Sequence, residues 1–367
     1  MPGLRILHVD SGREWRGGQR QVLLLARYLR EHGHEPLVVA YPDAPLIKRV
    51  RAAGLAASAM RTRGDWDLAA VRRLRALVHT WRPNIVHAHD ARSHAIALAA
   101  LLGRSDPPPL VVTRRVPFVP RGRLKYGPRV TRFIAISQAV RHALLAGRVP
   151  DDKIDVVYSG VPSPELRTPR DWRAESGWAR DTVVCGVVGA MTAEKGVQLL
   201  AEIAEHLSDQ ARLRARIVLL GGQASGAARL GGIPAFRAGF VDAVHDAMAG
   251  LDVLWHPSRA EGLGTSVIDA MALGVPPVAF AVGGLPELIE HDISGVLVPP
   301  GDVPGFAREA SSLITDTTRR ARLAEHGALR ANDFSVERMA AGTLDTYNRV
   351  LRDHPAHAAR NGLGRPV

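Results

Sequence analysis

Short apolar runs alternate along this chain with longer stretches whose apolar positions recur every three or four residues. "LRILHVD" precedes "GGQRQVLLLARYLREHG", then come "PLVVAYP", "DLAAVRRLRALVHTW", "NIVHAHD" and "SHAIALAALLG". "PLVVTRRV", "RFIAIS", "QAVRHALLAG" and "IDVVYSG" complete a first series. Strands alternating with amphipathic helices predict βα units on a parallel sheet. Prolines 162, 164 and 169 interrupt the rhythm and predict a linker. A second series follows, from "TVVCGVVGA" through "RARIVLLGG", "DVLWHPS", "TSVIDAMALG" and "PPVAFAV" to "GVLVPP". The pattern predicts two doubly wound α/β domains, residues 1–163 and 164–335, facing a central cleft. Ligands of such sheets bind at the carboxyl ends of the strands. A last amphipathic helix, 336–352, is expected to pack back on the first domain, leaving 353–367 as a tail.

Composition adds limits. The chain has 367 residues, 46% of them hydrophobic and 23% charged, which is globular. No apolar run approaches the length of a membrane span, and the start reads as a first strand rather than a signal peptide. A cytoplasmic protein is expected. The single cysteine, Cys185, excludes an internal disulfide and lies in a run that reads as a buried strand. The net charge of +12 is uneven: residues 1–165 carry 27 Lys and Arg against 13 Asp and Glu, the remainder 21 against 23. A basic half suits nucleic acid, an anionic membrane or an acidic substrate. It equally suits a genome that writes arginine freely, since only four of the 48 cations are lysine.

The residues with chemical potential stand where strands end. Gly17 and Gly18 directly precede a helix, where bare backbone N–H groups can approach a phosphate, though a Gly-Gly turn is often only a turn. "HAHDARSH" holds His87, His89, Asp90 and His94, a spacing that matches no common zinc pattern. A histidine there suits a hydroxyl or an oxyanion better, and no metal is expected. Lys195, before Gly196, can meet a diphosphate as a point charge or simply pair with Glu194. "EGLGTSVID" sets Glu261 and Asp269 on either side of a glycine-rich loop. Gly264, Thr265 and Ser266 would aim free helix N–H groups at an anion. Ser266 and Asp269 also have the spacing of a capping box.

These segments resemble glycosyltransferase family 4, retaining enzymes of the GT-B fold. The most specific match is "DVLWHPSRAEGLGTSVIDAMALGVPPVAFAVGGLPELI", and "GGQRQVLLLARYLREHGHEPLVV", "NIVHAHD", "FIAISQAVRHAL", "IDVVYSGV" and "AEKG" follow family order. The resemblance implies that Glu261 meets the hydroxyls of the transferred sugar and Asp269 the nucleotide ribose. It implies that backbone at Gly264 to Ser266 and at Gly18 holds the diphosphate, with Lys195 neutralising it and His89 near the reacting centre. It implies a nucleotide-sugar donor, no cofactor, no metal and no protein nucleophile. Two departures stand out: Ala190 occupies the place of a common arginine, and Asp269 that of a glutamate.

The first domain would supply the acceptor site. "RRVPFVPRGRLKYGPRVTR" carries seven cations, among them Arg114, Arg115, Arg121, Arg123 and Lys125, interleaved with Phe118, Leu124 and Tyr126. Such a loop suits a phosphorylated glycolipid or an anionic inner-membrane surface, hence an envelope glycolipid or polysaccharide acceptor such as lipopolysaccharide core, with peripheral membrane association. The alternatives are a sugar-nucleotide epimerase of the same fold, a glycoside hydrolase using the two acids, and a nucleic-acid binder, which lacks a recognisable module.

Overall fold

The computed structural model describes residues 3–122, 124–165 and 168–354. The chain forms two compact units, one running to Gly160 and resuming at Val336, the other spanning Val161–Ser335. Among the described residues the first unit carries a seven-stranded sheet: β1 (Arg5–Val9), β2 (Glu35–Ala40), β3 (Ala56–Ala59), β4 (Ile85–Ala88), β5 (Leu110–Arg114), β6 (Arg132–Ala135) and β7 (Ile154–Val156). Every pairing is parallel, in the order β3-β2-β1-β4-β5-β6-β7. The inner strands are buried almost throughout because helices cover both faces. Ala56–Ala59 and the helix before it, Pro45–Ala52, carry little apolar bulk or periodic length, and the sequence pattern does not reveal them. The order reverses between β1 and β4, the switch point at which such sheets take ligands.

The helix Val336–Asp353 returns to this first unit. Val336, Met339, Ala340, Tyr347, Val350 and Leu351 recur at helical spacing and pack on Leu4, Ile6, Ile85, Val111 and Ile134. Tyr347 is fully buried, and its hydroxyl satisfies His87 Nδ1 at 2.6 Å. Residues 355–367, most of the expected tail, lie outside the described residues.

The second unit holds β8 (Val183–Val188), β9 (Ala215–Leu230), β10 (Ile233–Gly239), β11 (Val253–His256), β12 (Pro277–Phe280) and β13 (Val296–Val298), ordered β10-β9-β8-β11-β12-β13. This sheet is parallel as expected except at one edge. β9 bends at Gly221 and Gly222, both at positive φ, and Gly226 to Leu230 form an antiparallel hairpin with β10. The turn is Gly231-Gly232, again both at positive φ, as a two-residue hairpin turn requires. Cys185 is buried in β8. The switch point of this sheet lies between β8 and β11. Each unit is thus a Rossmann-like α/β domain. No described helix is long and apolar enough to cross a membrane.

Tyr347→Phe removes only the hydroxyl that meets His87. It should lower stability by about 1–3 kcal/mol, the cost of a buried polar atom left unpaired. Denaturant unfolding measures this, and an unchanged midpoint would show that His87 finds another partner.

Candidate active site

In the second unit the residues after β8 and those after β11 meet. Lys195 ends a short 3-10 turn, Ala193–Lys195, rather than opening the following α-helix, which starts at Leu200. Backbone contacts lock that turn to the β11 loop: Arg259 N–H donates to Glu194 O at 2.8 Å, and Gly196, at φ +71°, leaves no room for a Cβ, which would sit 1.8 Å from Pro257 O. Lys195 pairs with Glu261, not with Glu194. His256 Nε2 also meets Glu261 Oε2, at 3.1 Å, and lies 3.1 Å from Ser258 Oγ. Burial alone would raise the Glu261 carboxyl, but the His256 hydrogen bond and the Lys195 charge pull it down to about 2. Burial keeps His256 neutral, pushing its pKa below the ordinary histidine value. Both donors fall on Oε2, and among the described residues nothing donates to Oε1. The carbonyl of Glu261 accepts from Gly284 N–H at 3.2 Å, and a Cβ on Gly283 would lie 1.7 Å from it.

The capping box is not formed. Gly264 takes φ +106°, ψ 58° and serves as N-cap without a side-chain bond, so the helix has already begun at Thr265. Ser266 therefore sits inside the first turn, two residues past the cap, and Asp269 lies too deep in the helix to reach back. The Asp269 carboxylate is buried and takes a bond from His245 Nε2 at 3.0 Å. Ala190 follows β8 and brings no cation. His245, His256 and Ser258 escaped the sequence reading; His256 and Ser258 could have been found as polar residues directly at the end of β11.

The first unit gathers a second cluster at the ends of β1 and β4. His8 joins His87 and His89, with their ring nitrogens within 4.8 Å of one another. Arg115 Nη2 lies 3.5 Å from His89 Nδ1, and His89 Nε2 lies 2.9 Å from His8 Nδ1. A guanidinium only donates, so His89 carries its proton on Nε2 and donates it in a hydrogen bond to His8 Nδ1, while His8 Nε2 is left unpartnered. His87 is held by Tyr347 and by Thr113 Oγ1 at 2.7 Å. Burial keeps all three rings neutral, with His8 lowered to about 3. With every nitrogen but one engaged and a cation alongside, the triad is a hydrogen-bonded relay and a poor ligand set for a metal. Asp90 caps the following helix and takes Ser11 N–H and Oγ as well, while His94 turns away and meets Tyr126 and Phe133 edge to face.

Asp10, which sequence reading passed over, is buried against Gln19 Nε2 at 3.1 Å and Gly12 N–H at 2.8 Å. Burial, and then the neighbouring Asp90 charge, raise it to about 6. Gly17 and Gly18 open the Gly17–Glu31 helix, which has neither a side-chain cap nor an acid in its first turn.

The basic patch does not face outward as a set. Arg114 donates to Tyr126 OH and Phe118 O, Lys125 pairs with Asp65 at 3.1 Å, and Arg115 points into the His89 cluster. Arg121 is exposed, and Arg123 lies outside the described residues. Beside Arg121 and Arg129 the segment exposes the apolar Val116, Phe118, Val119 and Leu124.

Two α/β domains of this topology, with a polar cluster at the switch point of each, are the architecture of the GT-B fold. Residues 15–163 match the Glycosyltransferase Family 4 model and residues 182–316 the Glycosyl transferases group 1 model. A 2-deoxystreptamine N-acetyl-D-glucosaminyltransferase of Streptomyces fradiae is 30% identical over 353 residues, 83% of each chain. A D-inositol 3-phosphate glycosyltransferase of Streptomyces scabiei is 31% identical over 234 residues, 58% of this chain and 52% of that one. HepE of Anabaena, solved with UDP and glucose, superposes with a TM-score of 0.80 at 21% identity, covering 94% of this chain and all (100%) of that one. The chain belongs to glycosyltransferase family 4.

Asp10 makes stability depend on pH with a sign opposite to that of a salt-bridged carboxylate. Its folded pKa lies above the unfolded one, so stability falls as pH rises between 3.8 and about 6, by about 3 kcal/mol. Asp10→Asn removes that loss. Unfolding free energies at pH 4 and pH 8 should show the variant gaining on the native chain at the higher pH, and equal differences at both would remove Asp10 from the titration.

Proposed function

We propose that this glycosyltransferase draws its sugar from a nucleotide-diphosphate donor and transfers it with retention of configuration and without a metal ion. The half-used Glu261 carboxylate carries the reading. Oε2 is pinned by Lys195 and His256, which leaves Oε1 to accept from the hydroxyls of a sugar. Lys195 then serves the diphosphate as a cation, with the N–H groups of Gly264, Thr265 and Ser266, and those of Gly17 and Gly18, as further donors. Asp269, oriented by His245, takes the ribose. His89 acts by position, because both of its ring nitrogens are engaged within the first unit. The acceptor oxygen bonds to the anomeric carbon as the bond to the phosphate oxygen breaks, and the acceptor's proton passes to that departing oxygen on the same face. Positioning and stabilisation of the leaving charge supply the rate.

Glu261→Gln keeps the shape of the site and removes the charge, and should lower turnover by about 100-fold. A thermal-shift panel of UDP, GDP and ADP sugars should give one stabilising nucleotide. Near-native turnover in the variant would remove Glu261 from its role, and no shift from any donor would count against the transferase reading.

For the acceptor, the proposal is an envelope glycolipid such as lipopolysaccharide core, with the enzyme peripheral on the inner membrane surface. Its support is now the exposed row Val116, Phe118, Val119 and Leu124 beside the exposed Arg121, more than a cationic patch. A small polyol acceptor is the second reading, favoured by the two Streptomyces relatives. Phosphatidylglycerol vesicles at low salt distinguish them. Co-sedimentation that is lost in Phe118→Ser supports the glycolipid, and a chain that stays in the supernatant supports the polyol.

A further inference from the structure

A cavity of about 520 Å³ opens at the amino ends of β5, β6 and β7, the end of the first sheet opposite to the His89 cluster. The five residues of β5 put roughly 15 Å of strand between the two. The turns of the chain create the space. The Ala91–Leu101 helix ends just before Gly103, which takes φ +70°, and Pro107, Pro108 and Pro109 then lead into β5 with no N–H to give. That segment therefore has no backbone donors with which to close on the Pro128–Thr131 turn, which lines the same cavity. Sites for small molecules span about 300–1,000 Å³, and this space falls within that range.

Its wall is of two kinds. Leu98, Leu101, Pro108 and Pro109 are buried and apolar. With them stand four cations, Arg104, Arg129, Arg132 and Lys153, against two acids, Asp152 and Asp353. Two of the cations are spent on the protein. Lys153 Nζ donates to Pro128 O at 3.2 Å and to Val130 O at 3.3 Å, while Arg132 Nη1 donates to Asp152 O at 2.8 Å and meets Asp155 Oδ1 at 3.3 Å. Arg104 and Arg129 are not: neither has a hydrogen bond or ion pair with a described residue, and Arg104 Nε is shut off from solvent. The carbonyls at the nearby helix end do not account for them, because Ala100 O and Leu102 O accept from Arg75. A buried N–H without an acceptor is an exception that calls for one, and a guanidinium fork matches the oxygens of a phosphate or a carboxylate.

We propose that this cavity is a second ligand site, separate from the donor and acceptor residues assigned above, for a small organic anion with an apolar body. The body lies on Leu98, Leu101 and the prolines, and its phosphate or carboxylate meets Arg104 and Arg129. Asp152 and Asp353 disfavour a polyanion, so the ligand carries one anionic group.

The test is calorimetric titration of the full chain, in saturating UDP, with four probes: 1-naphthyl phosphate, 1-naphthoate, 1-naphthol and inorganic phosphate. The native chain should bind one of the two naphthyl anions at least tenfold more tightly than 1-naphthol or inorganic phosphate, since only these engage the apolar wall and the arginines together. Whichever anion binds more tightly tells a phosphate site from a carboxylate site. Arg104→Gln should weaken that anion at least tenfold and leave 1-naphthol unchanged. Arg129→Gln, at an exposed position where folding is not at stake, should weaken it in the same sense. A native chain that binds neither naphthyl anion, or binds 1-naphthol or inorganic phosphate as tightly, overturns the site, and so does native affinity in either variant.

Discussion

A carboxylate stays ionised inside a protein only where donors meet it, and the second unit is shaped around that requirement at Glu261. Lys195 and His256 reach one oxygen from two different strand ends. Each can do so only because backbone passes backbone at van der Waals limits, Gly196 against Pro257 and Gly283 against the Glu261 carbonyl. A side chain at either glycine would push the loops apart and strand the charge. The glycines around this acid are therefore part of its electrostatics, although they carry no charge themselves.

The first unit solves a related problem without charge. Three histidines close to one another would repel if protonated, and burial keeps them neutral. Their protons are ordered by the arginine at one end, so the tautomers of His89 and His8 are dictated rather than free. This makes the cluster a rigid floor at the end of β1 and β4, and it ties the sheet to the last helix through Tyr347.

The alternation of apolar runs made the two Rossmann-like domains legible, because parallel strands covered on both faces must read as continuous apolar segments. Candidates for chemistry drew notice where a polar residue directly followed such a run, as His89 does after β4, or where a glycine-rich loop flanked an acid, as at Glu261. What escaped depends on information that spacing does not contain. Arg115 looks like its neighbours Arg114 and Arg121 in sequence, and only the irregular path after β5 turns it inward. The Ser266 and Asp269 spacing promised a cap, but the left-handed turn at Gly264 starts the helix early and moves both residues inside it. His8 sits in an apolar strand and gives no sign that two other histidines arrive beside it. The β9–β10 hairpin depends on two glycine pairs whose φ values no alternation reveals.

The return of the last helix has a consequence for how the chain is made. Val161 pairs with Ser335, and its N–H donates to Phe334 O at 2.8 Å, so the second unit begins and ends at one place. All of its sheet is encoded between those points. The first unit instead holds Ile6, Ile85 and Val111 in a cluster that Leu25 and Leu29 only begin and that Val336 to Leu351 complete. On a ribosome, where domains fold as units when their segments are complete, the half that is synthesised first is the half that finishes last.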